Sequence, residues 1–388
     1  MKLQLFCTAL LAIFITGCSN DRQQAEKMLP QINLNTEYPE KEIWFQDVAD
    51  VEYIPLETTE KILFKGSIVS LSKEGIVGVN RKEGDFFVFD GKGKVKCFIN
   101  RKGGGPEEYA SMVQPIVDWK LNELYVIDPK SRIYVYSLDG TFKRILETKN
   151  IIRERDICHY TDDQLMLFKE VPEGGNAEKI VPYRPVLLLS KTDGQLDSLS
   201  YLKRHNAFVT ATFGEMKGWS FVPVLRNYDD KIYLNDVASD TVFFLNKKNN
   251  ELKPFLTRVP SIQDEAGGKY LLIVEGITPR YVFLKRQIVQ VDLEKQNEKN
   301  ENRYWAYDRQ TGEIFQPIFK NKDYSSMEMR NRNFEHCSGS KGDHFQLEAF
   351  RLKEALGKGE LSGELKEIAE GISEEDNPIL MIISFKEP

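Results

Sequence analysis

Short apolar, β-rich runs alternate with polar turns along most of this chain, and five of the turns align on Gly93, Gly140, Gly194, Asn250 and Gly312. Each joins two runs, as Phe86-Phe87-Val88-Phe89 joins Val95-Lys96-Cys97-Phe98-Ile99 and Val242-Phe243-Phe244-Leu245 joins Leu252-Lys253-Pro254-Phe255-Leu256. β-branched and aromatic residues on both sides of a Gly or Asn turn predict hairpins. Further runs precede them: Val113 to Trp119 and Leu124 to Ile127 before the second, Leu165 to Phe168 before the third, Ile232 to Leu234 before the fourth, and Tyr281 to Leu284 with Ile288 to Val291 before the fifth. The repeating unit is therefore four strands. Successive turns lie 47 to 62 residues apart, close to the ~40 to 50 residues of a propeller blade once loop insertions are added.

A four-stranded antiparallel unit with two apolar faces must stack on neighbours, and a ring satisfies every unit at once. Five hairpins give five blades. The runs His344 to Leu347 and Ile379 to Phe385, completed by Val51 to Leu56 from the other end of the chain, give a sixth. Closure of this kind removes exposed sheet edges, and Pro55 suits an outer position where a missing N–H costs little. The expected fold is an all-β, six-bladed propeller over 43–388. Within it, Leu352, Leu356, Leu361, Leu365, Ile368 and Ile372 fall near helical spacing, interrupted at Gly357, Gly359 and Gly363. That predicts two short packed helices at about 350–372.

The N-terminus carries different information. Lys2 is followed by an apolar stretch from Leu3 to Ile15 that is too short to span a bilayer, the pattern of a secretory signal over 1–17. It ends on Ile15-Thr16-Gly17-Cys18, which resembles a bacterial lipobox, and the resemblance implies that Cys18 is the acylated first residue of the mature protein. Each buried acyl methylene contributes about 0.8 kcal/mol, so several chains anchor firmly. Residues 18–42 read as a flexible tether. Ser19 after the cysteine implies no retention at the inner membrane. The expected address is the cell envelope, with the outer membrane as the anchoring surface.

Charge and cysteine count narrow the function classes. A net charge of -6 with 29 % charged residues and no basic stripe argues against nucleic-acid binding. Cys7 leaves with the signal and Cys18 carries lipid, so Cys97, Cys158 and Cys337 remain. None is spaced as Cys-x-x-Cys, so at most one disulfide and no structural zinc are expected.

Over Asn100 to Leu146 the chain resembles an NHL repeat. The residues are Arg101-Lys102-Gly103-Gly104-Gly105-Pro106-Glu107-Glu108-Tyr109, then Leu124-Tyr125-Val126-Ile127-Asp128, then Arg132-Ile133-Tyr134-Val135-Tyr136, ending in Asp139-Gly140. Glu107 stands where the repeat carries Gly. With the lipobox and Asp376-Asn377-Pro378 before the last strand, the whole resembles six-bladed β-propeller lipoproteins of Bacteroidota, NHL-like or TolB-like. The resemblance implies the fold and the lipid tether and implies no agreed activity.

Candidate chemistry is sparse. Gly103-Gly104-Gly105 beside Arg101 and Lys102 could cradle an anion, but no helix follows, and a turn between blades is the plainer reading. The groups with metal-ligating chemistry are Glu335, His336, Cys337, Asp343 and His344 around a Gly/Ser-rich connection. They read as a solvated loop, with His336 and His344 the weak metal candidates. No cofactor is expected. Loops at one end of a propeller surround an axial funnel, and Arg101, Lys102, Glu108, Tyr109, Arg155, Arg226 and Tyr228 offer bidentate and stacking contacts for a peptide, glycan or envelope protein. The favoured reading is a non-catalytic binding or scaffolding module. The alternative is a metal-dependent hydrolase or lyase.

Overall fold

The computed structural model describes residues 29–387, apart from 130–131, 149–156, 169–180, 184–185, 199–201, 205–208, 214–215, 221–223, 237–238, 263, 265–268, 289, 293–301 and 331–342. Antiparallel sheets follow one another around a ring, those of blades 1 to 5 running outward from the axis in chain order. Blade 1 holds Ser67–Leu71, Ile76–Asn80, Asp85–Phe89 and Val95–Asn100; blade 2 holds Gln114–Asp118, Glu123–Asp128, Arg132–Ser137 and Phe142–Glu147. Blade 3 holds Ile157–His159, Gln164–Phe168, Val186–Ser190 and Leu196–Ser198; blade 4 holds Val224–Tyr228, Lys231–Asn235, Thr241–Asn246 and Glu251–Val259. Blade 5 holds Tyr270–Ile277, Tyr281–Ile288, Arg303–Asp308 and Ile314–Asn321. Blade 6 joins Asp343–Leu347 and Ile379–Phe385 to the N-terminal strand Ala49–Pro55. The protein is a six-bladed β-propeller.

Single strands show why the ring closes. Successive side chains of a strand point to opposite faces, so a strand apolar at every position serves two cores. In blade 2, Leu124 and Val126 pack toward blade 1, while Tyr125 and Ile127 pack toward blade 3. In the last strand, Ile379, Met381, Ile383 and Phe385 pack toward blade 5, and Leu380 and Ile382 pack toward blade 1. Six such cores alternate with six blades. Each fully buried side chain contributes about 1.5–3 kcal/mol.

The two chain ends meet as the sequence predicts. Tyr53 pairs with Met381 and Glu52 with Ile382 in an antiparallel register. Beside them the Asn377 side chain, 1 % exposed, holds the N-terminal segment in place. Its Oδ1 accepts from Phe64 N (2.7 Å), and its Nδ2 donates to Glu57 O (2.8 Å) and Ile62 O (3.3 Å). The helices also fall where expected, at Ala349–Gly357 and Gly363–Gly371, with Leu352, Leu361 and Leu365 buried against blades 5 and 6.

The five aligned hairpin turns share one backbone conformation. Gly93, Gly140, Gly194, Asn250 and Gly312 all have positive φ, between 56° and 86°. At Gly93 the requirement is double, because a Cβ would also lie 2.2 Å from the Pro55 carbonyl oxygen of the closing blade.

Two expectations are corrected. The tether expected over 18–42 is structured from Gln31 onward. Gln31–Asn33 lies parallel along Glu251–Val259 of blade 4, and Glu40–Trp44 lies parallel along Ile314–Asn321 of blade 5. This strap buries Ile32, Leu34, Ile43 and Phe45 in the cores, while Arg286 Nη1 and Gln316 Nε2 donate to the carbonyls of Leu34 and Tyr38. Its pairing strands are only three and five residues long, too short for their alternation to stand out from polar neighbours. The second correction concerns blade 5. Its first two strands are Tyr270–Ile277 and Tyr281–Ile288, and the run expected to start at Ile288 instead supplies Gln290–Asp292 to an accessory sheet. Residues 1–28, including the signal and Cys18, lie outside the described part.

Candidate functional site

The ends of the ring differ. In blades 1 to 5 the turns joining first to second and third to fourth strands are short, as at 119–122, 138–141, 247–250 and 309–313, whereas in blade 6 the connection 348–378 carries the two helices. The opposite end carries the long connections of blades 3 to 5, and two accessory sheets are built from them. Val181–Tyr183, inserted in blade 3, pairs with Leu202–Arg204 from the link to blade 4. Val209–Phe213 from that same link pairs with Met216–Ser220 and, in parallel, with Gln290–Asp292 inserted in blade 5. Insertions confined to one face are how repeat scaffolds display recognition surfaces.

Around the axis, first strands of neighbouring blades approach each other, and each presents an edge of backbone groups that need partners. Side chains supply them. Trp119 Nε1 donates to Ser70 Oγ (2.9 Å), Gln114 Nε2 to Ile157 O (3.2 Å), Asn227 Nδ2 to His159 O (3.2 Å) and Arg226 Nε to Glu275 O (2.9 Å). His159 Nε2 sits 2.7 Å from Val117 O, and burial, then the nearby Lys191 charge, pushes this imidazole below its ordinary pKa. Beneath it the buried Lys191 ammonium donates to Asp118 (2.8 Å) and to the carbonyls of Thr161 and Asp162, both at 2.9 Å. These polar groups tie blades together.

The residues singled out from sequence fare unevenly. Tyr109 is fully buried, its hydroxyl donating to Gly84 O (2.6 Å) and accepting from Arg101 N (3.2 Å). Burial pushes its pKa up to about 12. It is a core residue between blades 1 and 2, since the same ring and hydroxyl that suit recognition also suit a satisfied core. The Gly-rich loop is likewise occupied from within: Glu108 Oε2 accepts from Gly105 N at 2.8 Å. Its own carboxylate fills the cradle in which an external anion would sit. Lys102 Nζ donates to Lys82 O (2.6 Å), and Arg101 Nε reaches Gly140 O (3.1 Å) in the hairpin of blade 2. Both residues are exposed; Lys102 lies with Lys82 at the elaborated end, while the Arg101 guanidinium reaches a turn of the opposite end.

Arg226 and Tyr228 share the axial strand of blade 4. Arg226 spends Nε and Nη1 on the carbonyls of Glu275 and Leu225. Tyr228 lies at the short-turn end of that strand, its hydroxyl pushed up to about 12 by burial and by the Glu387 charge. His344 is buried on its blade 6 strand with Asp343 Oδ1 accepting from its backbone N–H (2.8 Å). Arg155, His336 and Cys337 lie outside the described residues. Cys97 carries a free thiol. Among the described residues no three His, Cys, Asp or Glu side chains gather as a metal site.

One group that sequence reasoning missed is Glu275. The register of the first blade 5 strand slips between Val274 and Gly276, leaving Glu275 unpaired in the ladder and re-aimed. Its side chain is 10 % exposed, and burial raises its pKa despite the charges of Arg226 and Lys285. It lines a crevice of about 270 Å³, open solvent included, with Phe283, Leu284, Tyr304, Phe319 and Met329. A lone acid before a glycine in the apolar run Tyr270 to Ile277 was the available signal.

Among the solved structures similar to this chain are two from Bacteroides. A Bacteroides fragilis protein designated as exported superposes with a TM-score of 0.60 at 15% identity, covering 92% of this chain and 99% of its own. A DUF4221-family member from Bacteroides vulgatus superposes with a TM-score of 0.47 at 11% identity, covering 88% of this chain and 98% of its own. No curated protein matches the chain. Residues 29–384 match the family described as Domain of unknown function (DUF4934), and the chain belongs to that family.

Proposed function

We propose that this chain is a lipid-anchored propeller of the cell envelope that acts as a non-catalytic binding or scaffolding module. Its partner is a peptide, a glycan or another envelope protein. The observation that carries the reading is the asymmetry of blades 1 to 5: tight turns at one end, accessory sheets spanning blades 3 to 5 at the other. A rigid ring that places its insertions on one face offers a platform. The polar groups near the axis are largely committed to ties between blades, which leaves recognition to the elaborated end. Cys18 would carry the lipid, residues 19–28 the remaining tether, and the NHL-like blade over Asn100 to Leu146 part of the platform.

Photocrosslinking in cells tests the face. A benzophenone side chain at Lys82 or Lys102, both on the elaborated end, is expected to capture a discrete partner, and the same group at Lys92 or Asn249 is not. Equal capture from both ends, or none from either, would contradict the proposal. Anchoring is tested separately: Cys18→Ala is expected to move the protein from the membrane fraction to the soluble one.

A further inference from the structure

The chain itself shows how an outer strand of this ring is covered. Along blade 5 the strap segment Glu40–Trp44 adds a strand to Ile314–Asn321, and the charges beside it are matched, Glu42 to Lys320 and Glu40 to Arg330 at 2.6 Å each. The outer strand of blade 1, Val95–Asn100, has no such cover: it ends its sheet, and among the described residues no strand pairs with its outer edge. At Val95 the outward N–H is taken by a carboxylate. Glu57 Oε2 accepts from it (2.8 Å), while Glu57 Oε1 accepts from Lys94 Nζ (3.3 Å). N–H groups alternate in direction along an antiparallel ladder, and the slip between Val95 and Cys97 shifts the phase by one residue, so the N–H groups of Phe98 and Asn100 point outward too. Residues 94–102 contribute four cations, Lys94, Lys96, Arg101 and Lys102, and no acid. Lys96 and Lys102 make no ion pair among the described residues; their ammonium groups donate to the carbonyls of Glu74 (3.4 Å) and Lys82 (2.6 Å). Between them in sequence, Phe98 packs edge-on against Phe87 (5.3 Å) yet stays 47 % exposed. Cys97 and Ile99, on the opposite face of the strand, lie against the blade 2 turn at Asp139 and Gly140 instead. Lysines on an edge discourage indiscriminate pairing. They repel a basic strand and admit an acidic one.

We infer that this edge takes up an extended acidic segment of a partner polypeptide as a fifth strand of blade 1. The backbone of the segment pairs with Phe98 and Asn100, an apolar side chain covers Phe98, and carboxylates on either side of it meet Lys96 and Lys102. Main-chain pairing of this kind supplies affinity, and alternate side chains supply specificity. Glu57 on Val95 and the strap on blade 5 are the same two contacts made within the chain: a carboxylate on an edge N–H beside a lysine, and an added strand with matched charges. The inference deepens the binding reading above by naming the chemistry of the partner, and it rests on that reading for the partner's existence.

The test uses the soluble chain from Ser19 and ligand-observed saturation-transfer NMR at low salt. The probe is acetyl-Glu-Thr-Val-Thr-Glu-amide, which reads the same in both directions, so either strand orientation presents Val between two carboxylates. It is expected to bind in the millimolar range. Two controls are expected to bind at least tenfold more weakly: the peptide with Lys in place of both Glu residues, and the acidic peptide N-methylated on its three central amides, which cannot pair as a strand. In the double variant Lys96→Glu with Lys102→Glu, the acidic peptide should lose at least tenfold and the basic peptide should gain binding, a reversal that a misfolded variant would not give. Phe98→Ser should weaken the acidic peptide at least threefold. No binding of the acidic peptide, equal binding of the acidic and basic peptides, equal binding of the N-methylated form, or unchanged binding in both variants would overturn the site. Sedimentation with phosphatidylglycerol vesicles, lost in the double variant and without peptide binding, would assign these lysines to an anionic membrane surface and overturn the partner strand. A dimer of the chain that Phe98→Ser dissociates would assign the edge to a second copy, with the same consequence. Failure here together with discrete capture at Lys82 would remove this contact alone and leave the platform reading in place.

Discussion

Asn377→Ala probes the junction on which the ring depends. The residue precedes the last strand, and its side chain bonds Glu57, Ile62 and Phe64 of the N-terminal segment together. Truncation removes three hydrogen bonds, each worth about 1 kcal/mol net, and leaves the Glu57 carbonyl and the Phe64 N–H short of partners at a site where water enters with difficulty. The expected loss is about 3 kcal/mol in equilibrium urea unfolding, read as a lower midpoint at unchanged slope. Asn377→Asp keeps the acceptor for Phe64 N but places a carboxylate against the carbonyls of Glu57 and Ile62. It should therefore destabilise at least as much as Ala, although it is nearly isosteric. A loss below 1 kcal/mol for Ala, or a stable Asp variant, would show that this amide does not hold the ends together.

Arg144→Ala removes a bidentate pair to Glu123 (2.7 and 2.8 Å) and two bonds to Lys191 O in blade 3, with an expected loss of about 3 kcal/mol. Burial tends to raise the Glu123 pKa, but hydrogen bonds from Arg144, Tyr125 and Lys143 outweigh it and hold the carboxyl at about 2, against 4.5 unperturbed. A depressed carboxylate stabilises fully above its unfolded pKa, so wild type should lose this contribution as pH falls from about 4.5 to about 2, and the variant should show a shallower acid limb. Gly93→Ala should cost about 2 kcal/mol or more in the same urea assay, through positive φ and the clash with Pro55 O. Tyr109→Phe should cost about 1–2 kcal/mol by leaving Gly84 O without its donor, and should leave any partner's affinity unchanged.

What the sequence made legible follows from burial on both faces. Strands such as Leu124 to Ile127 are apolar at every position because each side serves a different core, and turns such as Gly140 announce themselves through positive φ. The terminal pairing was readable because Ile379 to Phe385 is too apolar to lack partners. The strap was not, since Gln31–Asn33 buries one residue of three on an outer edge. Site residues were harder still. Tyr109 and a ligand-binding tyrosine look alike until the acceptor for the hydroxyl is known, and Glu108 fills the glycine loop through a contact that spacing alone does not specify. Glu275 owes its position to a register slip, which changes side-chain direction without changing composition.

Oxidative cross-linking of the paired strands tests ring closure most directly. Asp50 and Ser384 face each other across the terminal pair, and both are exposed. With both replaced by cysteine, mild oxidation of dilute monomer should join the peptides around positions 50 and 384 within one chain, in high yield by mass spectrometry. Absence of that linkage, or its appearance only between chains, would contradict closure of the propeller by its own two ends.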